Sequence, residues 1–259
     1  TGTASGKSLC YQIPIIDRLI QDQNSSALLM FPTKALTNDQ LNNLRLLIPD
    51  GFKSSIIPAV YDGDTPQRER KAIRDNAGII LTNPDMLNIG ILPNHAIWAK
   101  FFNHLRFVVI DEIHIYRGVF GSHVANVIRR LQRIARFYGA EPVYIMTSAT
   151  IQNPQELGEN LASMAVGLME EEGSPPSKRE FVIFNTPVVN EELGIREGLM
   201  VTAEKFLALL IQKRVQTLVF CRTRRFVEIL LREIRAFLNI PVNKIRGYRS
   251  GYLKAERRE

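Results

Sequence analysis

Glycine, lysine and serine stand together near the start of the chain, in the segment TGTASGKS at positions 1–8. This segment fits the phosphate-loop pattern G-x-x-x-x-G-K-[ST] at its second half, although Thr1 replaces the first glycine. The backbone N–H groups of such a loop and of the following helix attract phosphate, Lys7 is suited to the β- and γ-phosphates, and Ser8 to Mg²⁺. The pattern therefore predicts a site for ATP and Mg²⁺, and its binding residues are Gly2, Thr3, Ala4, Ser5, Gly6, Lys7 and Ser8. The alternative is a Gly/Ser turn that precedes a lysine at a helix start.

Two acidic residues, Asp111 and Glu112, follow the continuous apolar run 107–110 (FVVI). Such a run is typical of a strand that is buried on both faces, and ligands of parallel sheets bind at the carboxyl ends of the strands. We expect Asp111 to hold Mg²⁺ and Glu112 to orient and deprotonate the water that attacks the γ-phosphate. Lys7, Asp111 and Glu112 are thus the predicted catalytic residues, and Ser8 and Asp111 the predicted metal ligands.

His114 and the tripeptide Ser148-Ala149-Thr150 complete this series of short motifs. The tripeptide follows the apolar run 143–146 (VYIM), which predicts a further strand, so its hydroxyls would lie beside the ATP site. Hydrogen bonds from such hydroxyls can relay the state of the γ-phosphate to neighbouring groups. We expect His114, Ser148 and Thr150 to couple ATP to a second ligand, although His114 could equally be a structural histidine.

Short polar and basic segments follow three other predicted strands. Hydroxyl, amide and basic side chains suit contacts with sugar and phosphate, which position a nucleic-acid strand without reading its sequence. Each segment alone is also ordinary turn chemistry, and Asn83-Pro84 is the most turn-like of them. As a set they predict a nucleic-acid contact formed by Pro32, Thr33, Lys34, Thr82, Asn83, Arg222 and Arg224.

The positive charge is concentrated at the end of the chain. Positions 213–259 hold 13 lysines and arginines against four glutamates and no aspartate, a net charge of +9, whereas the 259 residues together carry +7. This distribution favours a polyanionic partner, with a solvated basic surface as the alternative. Cys10 and Cys221 are far apart in apolar segments, which speaks against a disulfide scaffold or metal cluster. Reduced cysteines are the simpler account, so we expect an intracellular protein, cytoplasmic or nucleoid-associated. No apolar run is long enough to predict a membrane span.

Alternating strands and helices must position these residues. After a helix with apolar spacing over 9–20, apolar runs predict strands at 27–31, 55–60, 79–82, 107–110 and 143–146. This alternation predicts an α/β fold with a mainly parallel sheet covered by helices on both faces. A helix over 124–138 has an apolar stripe for the core, and its arginines at 129, 130, 133 and 136 are expected on a solvated face. Beyond an acidic, turn-rich stretch we expect strands at 181–184 and 217–220 and helices at 203–212 and 225–238.

In this order the motifs resemble those of superfamily-2 DEAD/DEAH-box-type helicases. More narrowly, the chain is similar to the mitomycin-repair-factor group of DNA helicases, which are distantly similar to RecQ helicases. The narrower resemblance rests on the segments 6–11 (GKSLCY), 31–36 (FPTKAL), 61–65 (YDGDT), 116–123 (YRGVFGSH) and 248–252 (YRSGY), with Arg257 and Arg258. Ala4 departs from the pattern, since many helicases carry glycine there.

The resemblance implies a P-loop, RecA-like domain followed by the first part of a second RecA-like domain. We expect domain 1 at 1–172 without its first strand, a linker at 173–180, and a truncated domain 2 at 181–259, so that the chain is a fragment. The implied activity is ATP-dependent movement along DNA with a single-stranded region in DNA repair, by a monomer whose two domains close on Mg-ATP. The alternatives are an ATPase that remodels RNA or nucleoprotein without unwinding, and a fragment that only binds nucleic acid.

Overall fold

The computed structural model describes residues 6–149, 151–170, 178, 180–238 and 244–248, and the chain divides into two compact units, Thr1–Ser177 and Lys178–Glu259. The predicted domain and linker boundaries stay a prediction. Gly2, Thr3, Ala4, Ser5 and Thr150 lie outside the described residues, as do Arg257 and Arg258.

The first unit alternates strands and helices along most of its length. Helices α1 to α3 are Lys7–Gln21, Lys34–Leu47 and Gln67–Asn76, and strands β1 to β3 are Ser26–Met30, Pro58–Val60 and Ile79–Thr82. The short helices α4 and α5, Pro84–Met86 and Ala99–Asn103, flank a π-helical turn at Leu87–Ile91 and a 3₁₀ segment at Leu92–Trp98. Then follow β4 (Leu105–Ile110), α6 (Gly118–Phe137), β5 (Val143–Met146) and α7 (Pro154–Ala162), with 3₁₀ turns at Asp50–Phe52 and Ile113–Ile115.

The five strands form one sheet in the order β2-β3-β1-β4-β5, and all of its strand pairs are parallel. The prediction of a parallel sheet with flanking helices is confirmed. Two strand predictions, 79–82 and 143–146, agree with the structure residue for residue. The predicted strand at 55–60 is shortened to Pro58–Val60, and the predicted helix over 124–138 begins earlier, at Gly118.

Apolar residues cover both faces of the sheet in two separate core clusters. In β1 every residue is buried, with Ala27 and Leu29 in one cluster and Leu28 and Met30 in the other. The first cluster contains the buried apolar side chains of α1 and α2, and the second contains those of α6. This alternation follows from the strand geometry, because successive side chains point to opposite faces.

The second unit contains, within its described residues, the antiparallel pair β6 (Val188–Asn190) and β7 (Ile195–Arg196) and the helices α8 (Leu199–Gln212) and α9 (Arg224–Leu238). The strands predicted at 181–184 and 217–220 are wrong, because both segments are irregular there. Their apolar side chains are largely exposed, Ile183 fully and Phe220 at 89%. An isolated apolar run needs neighbouring strands to satisfy its backbone before it can form a ladder, and the described part of this unit pairs neither run.

Among the described helices, none combines the length and the apolar character that crossing a membrane requires.

Candidate nucleotide and nucleic-acid site

The described motif residues of the first unit lie at one edge of its sheet. Because β1, β3, β4 and β5 are parallel, their carboxyl ends lie at the same edge, and the polar segments that follow them lie there too. Backbone hydrogen bonds continue the sheet past the strand ends, from the Asp111 N–H to the Met30 oxygen at 3.0 Å and from the Thr147 N–H to the Ile110 oxygen at 3.1 Å. The edge is therefore held by the backbone before any side chain contributes.

The described end of the phosphate loop leads directly into α1. Gly6 is the N-cap and has a φ of 74°, a left-handed conformation that glycine adopts without strain. Lys7 and Ser8 are half-buried in the first turn of the helix. Lys7 donates from its Nζ to the Ser148 carbonyl oxygen at 2.8 Å, so the predicted phosphate-binding lysine contacts a residue of the predicted coupling group.

Asp111 is buried at 7% exposure and its carboxylate is surrounded by donors. Its Oδ1 accepts from the Glu112 backbone N–H at 3.0 Å and from the Thr147 hydroxyl, and its Oδ2 lies 3.5 Å from the Tyr11 hydroxyl. Tyr11 lies one turn after Ser8, so both residues occupy the same side of α1. The Ser8 hydroxyl and the Asp111 carboxylate are hard oxygen donors, the ligand type that Mg²⁺ prefers.

Glu112 has a strained backbone. Its φ of 55° lies in the left-handed region, which non-glycine residues avoid at a cost of about 1–2 kcal/mol. Such strain often marks a functional position, because the surrounding structure must hold it in place. The conformation turns the chain out of β4 and into the 3₁₀ turn that carries His114.

His114 connects the acidic motif with the segment after β5. Its Nδ1 lies 3.1 Å from Glu112 Oε2 and 3.2 Å from the Ala149 backbone nitrogen, whose N–H it can accept. One ring nitrogen cannot donate to the carboxylate and accept from the amide at the same time. Glu112 and Ala149 therefore compete for this nitrogen. Such competition is suited to coupling the acidic motif to the segment after β5. The Ser148 hydroxyl has no hydrogen-bond partner among the described residues.

Two of the predicted nucleic-acid residues are accessible at the end of β1. Thr33 and Lys34 are exposed, and Pro32 before them is half-buried. Thr33 caps α2, since its hydroxyl oxygen accepts from the Leu36 N–H at 3.4 Å. Lys34 forms an ion pair with Asp64, with 3.0 Å between Nζ and Oδ2.

The residues after β3 differ from the prediction in one respect. Thr82 is fully buried and its hydroxyl donates to the Tyr61 carbonyl oxygen at 2.7 Å. Its side chain therefore links the ends of β2 and β3 and is not accessible to a nucleic-acid strand. The prediction of a Thr82 side-chain contact with nucleic acid is corrected accordingly. Asn83 is half-buried and its Oδ1 accepts from the Met86 N–H at 2.8 Å, which is helix-cap chemistry.

In the second unit, Arg222 and Arg224 are both exposed at the start of α9. Thr223 between them accepts the Phe226 N–H at 3.1 Å with its hydroxyl oxygen and holds the turn. The two guanidinium groups are available to an anionic partner.

Two side chains that contact the Asp111 carboxylate, those of Tyr11 and Thr147, were not among the predicted site residues. Tyr11 looks like a core aromatic in an apolar helix, and it is fully buried. Burial, and then the nearby charge of Asp111, raises the pKa of the Tyr11 hydroxyl above its usual value, so it remains a proton donor. Its placement one turn after Ser8 was the available signal.

Comparison with known proteins agrees with this geometry. The chain is 48% identical over 261 residues to the ATP-dependent helicase YprA of Bacillus subtilis, and 42% identical over 270 residues to the ATP-dependent helicase HRQ1 of Saccharomyces cerevisiae. Both alignments cover the whole chain but only 35% and 25% of those relatives. The chain thus spans about a third or less of their length.

A solved structure of the DUF1998 helicase MrfA bound to DNA and AMPPNP superposes with a TM-score of 0.92 at 48% identity. The match covers all of this chain and 36% of that one. A structure of the same helicase with DNA has a TM-score of 0.93.

The family model of the DEAD/DEAH box helicases matches residues 1–157, which include the phosphate loop, the Asp111-Glu112 pair and the Ser148-Ala149-Thr150 segment. With more than half of its length matched by that model and its motifs gathered at one sheet edge, this chain belongs to the DEAD/DEAH box helicase family.

Proposed function

We propose that this chain is the motor core of an ATP-dependent DNA helicase that acts in DNA repair. The observation that carries the proposal is the continuous set of contacts from Lys7 to Ser148, from Ala149 to His114 and from His114 to Glu112, beside the buried carboxylate of Asp111. The similar structure with DNA and AMPPNP supports both ligands. The role in repair rests on the resemblance to the mitomycin-repair-factor group.

In this proposal the first unit binds and hydrolyses ATP. The loop at 2–8 binds the phosphates with its backbone N–H groups. Lys7 gives up its hydrogen bond to the Ser148 oxygen and binds the β- and γ-phosphates instead. Ser8 and Asp111 hold Mg²⁺, which when bound supplies positive charge to the phosphate oxygens. Glu112 orients the attacking water and accepts its proton.

The coupling group consists of His114, Ser148 and Thr150. A change in the protonation or position of Glu112 during hydrolysis alters whether His114 Nδ1 donates to Glu112 or accepts from Ala149. That choice moves the segment after β5 relative to the acidic motif. Through this exchange, hydrolysis changes the grip on a nucleic-acid strand.

The nucleic-acid contacts are proposed at Pro32, Thr33, Lys34 and Asn83 of the first unit and at Arg222 and Arg224 of the second. Exposed hydroxyl and basic groups suit the sugar–phosphate backbone, preferably of DNA with a single-stranded region. We propose further that the protein acts as a monomer, and in the cytoplasm or at the nucleoid, where a DNA substrate and ATP are both present.

The test is ATP hydrolysis by the full-length protein, with and without single-stranded DNA or RNA. DNA should stimulate hydrolysis, and Lys7→Ala and Glu112→Gln should each lower the stimulated rate by about a hundredfold or more. Lys53→Ala is the matched control, because Lys53 is exposed and pairs only with nearby Asp50 among its described contacts. A rate of ATP hydrolysis that does not change when nucleic acid is added, or that is unchanged in Lys7→Ala, would refute the proposal.

Strand displacement separates the helicase from its nearest alternative. A duplex with a single-stranded tail should be unwound in the presence of ATP. An enzyme that hydrolyses ATP in response to nucleic acid but leaves this duplex intact would instead be a remodelling ATPase.

A further inference from the structure

Three polar side chains are buried together between α1 and α2, in a core that is otherwise apolar. Tyr11 is fully buried, Gln12 is 1% exposed and Gln40 is 8% exposed. They belong to the face of the sheet where α1 and α2 pack, close to the end of β4. Buried polar groups are costly unless they are paired, so their arrangement needs a physical reason.

Their hydrogen bonds link the two helices to Asp111. The Gln12 amide donates to Gln40 Oε1 at 2.7 Å. The Tyr11 hydroxyl lies 3.2 Å from the same Gln40 oxygen and 3.5 Å from Asp111 Oδ2. The hydroxyl has one proton, so it can donate to Gln40 or to Asp111 but not fully to both.

A purely structural role explains this geometry poorly. Gln40 Oε1 already accepts a hydrogen bond from Gln12, so it would not be left unpaired without the Tyr11 hydroxyl. A phenylalanine at this position would fill the same apolar space. What the hydroxyl adds is a choice between the helix α2 and a predicted metal ligand.

We propose that the Tyr11 hydroxyl is a positioning group that couples the state of Asp111 to helix α2. The inference rests on the proposed function and deepens it. When Asp111 engages the nucleotide site, its Oδ2 becomes a poorer acceptor for Tyr11, and the hydroxyl turns to Gln40. When Asp111 is released, the hydroxyl returns to it and the bond to α2 weakens.

Helix α2 carries this change to the nucleic-acid side. It begins at Lys34, next to the cap residue Thr33, and Gln40 lies six residues into the helix, about 9 Å along its axis. An α-helix transmits a displacement as a rigid element over this distance. Lys34 and Thr33 therefore move with the helix that Gln40 holds.

The experiment measures the coupling itself in the full-length protein. The affinity for fluorescent single-stranded DNA is determined with and without AMPPNP and Mg²⁺, and the ratio of the two values is the coupling factor. AMPPNP affinity without DNA and thermal unfolding are measured for the same variants. The variants are Tyr11→Phe, Gln40→Met and the double mutant.

Tyr144→Phe is the matched control. The Tyr144 hydroxyl is also buried, but it has no hydrogen-bond partner among the described residues. It lies on β5, in the same unit, and undergoes the same chemical deletion. Its coupling factor should equal that of the wild type.

This link from Asp111 through Tyr11 and Gln40 to α2, called the relay below, gives a quantitative expectation. Tyr11→Phe should change the coupling factor about fivefold towards one, the effect of one lost hydrogen bond. Gln40→Met should act similarly, and the double mutant should lose no more than either single mutant, because both remove the same link. AMPPNP affinity without DNA should stay within about twofold of the wild type. Should Tyr11→Phe fail to fold, Gln40→Met alone still decides the question.

Two results would overturn the relay. A coupling factor in Tyr11→Phe equal to that in Tyr144→Phe would show that the hydroxyl does not transmit. A loss of AMPPNP affinity in Tyr11→Phe with an unchanged coupling factor would show that Tyr11 acts only locally on Asp111. Failure of the wild-type protein to bind AMPPNP or DNA would instead refute the proposed function, so the two failures are distinguishable.

Discussion

Glu112 combines a predicted catalytic carboxylate with a backbone conformation that few side chains accept. Its position after β4 was predicted from the apolar run at 107–110, but its left-handed φ was not, because no glycine or asparagine signals it. A glutamate occupies this position although glycine or asparagine would adopt the left-handed conformation more readily, which is consistent with a chemical requirement for the carboxylate.

Substitutions at Glu112 should separate strain from chemistry. Glu112→Gln and Glu112→Val both remove the carboxylate, but valine is β-branched and tolerates the left-handed region poorly. We expect Glu112→Val to be less stable than Glu112→Gln by about 1–2 kcal/mol in urea unfolding, whereas Glu112→Asn should be at least as stable as Glu112→Gln. Equal stability of the valine and glutamine variants would mean that this backbone strain is absent in solution.

At the scale of elements, the loop that begins after β2 contacts the start of α2 through an ion pair. Asp64 lies in this loop and pairs with Lys34, and both side chains are partly exposed. The Asp64 carboxylate therefore competes with any nucleic-acid phosphate for the Lys34 ammonium group. An exposed pair of this kind is worth at most about 1 kcal/mol, so a nucleic acid can displace it.

Asp64→Asn should therefore strengthen nucleic-acid binding by about two- to fivefold at low salt, because it frees Lys34 without changing the side-chain size. Fluorescence anisotropy with a single-stranded oligonucleotide measures this change. Asp50→Asn is the control, since it removes the same charge from an exposed ion pair with Lys53. A gain of the same size in both variants would indicate a general charge effect and contradict a role of Lys34.

The N-terminal turn of α6 depends on a glycine for steric reasons. A Cβ at Gly121 would lie 2.7 Å from the carbonyl carbon of Tyr116 and closer still to its oxygen. Because these are backbone atoms, the clash cannot be relieved by a side-chain rotation. Tyr116 itself is buried near the acidic motif, and burial followed by the charges of Asp111 and Glu112 raises the pKa of its hydroxyl.

Gly121→Ala should thus destabilise the protein by about 1–3 kcal/mol, although alanine is normally favoured over glycine inside a helix. Gly158→Ala in α7 is the matched control, because a Cβ there meets only the side chains of Val166 and Met146. Thermal or urea unfolding compares the two. If both alanine variants are equally stable, the contact between α6 and Tyr116 is looser than described.

At the scale of the whole molecule, the sequence predicted the strands of the first unit and the two helices of the second unit, but not the strands of the second unit. The strands of the first unit are apolar runs buried on both faces, and such runs are visible in a sequence. The runs at 181–184 and 217–220 are equally apolar, but their conformation depends on partners that the run itself does not reveal. The Tyr11–Gln40–Asp111 contacts join residues that are 29 and 100 positions apart, which periodicity cannot relate.

Charge at this scale predicts a measurable salt dependence. Arg222→Ala and Arg224→Ala should each reduce the slope of log affinity against log salt by about 0.7, if each arginine neutralises one phosphate of a single strand. Arg45→Ala is the control, because Arg45 lies in the last turn of α2, at the opposite end from Lys34. An unchanged slope in the Arg222 and Arg224 variants would exclude them from the phosphate contact.

The sheet separates two apolar layers, and this division has a consequence for how the protein can vary. Helices α1 and α2 share one layer, whereas α6 packs in the other. The spacing between α1 and α2 depends on the side chains of their own layer. Substitutions that repack the layer beneath α6 therefore should not change it. We therefore expect substitutions of apolar core residues under α6 to be tolerated more readily than substitutions in the layer that joins α1 and α2. In that layer, fewer side-chain volumes should be compatible with the fold.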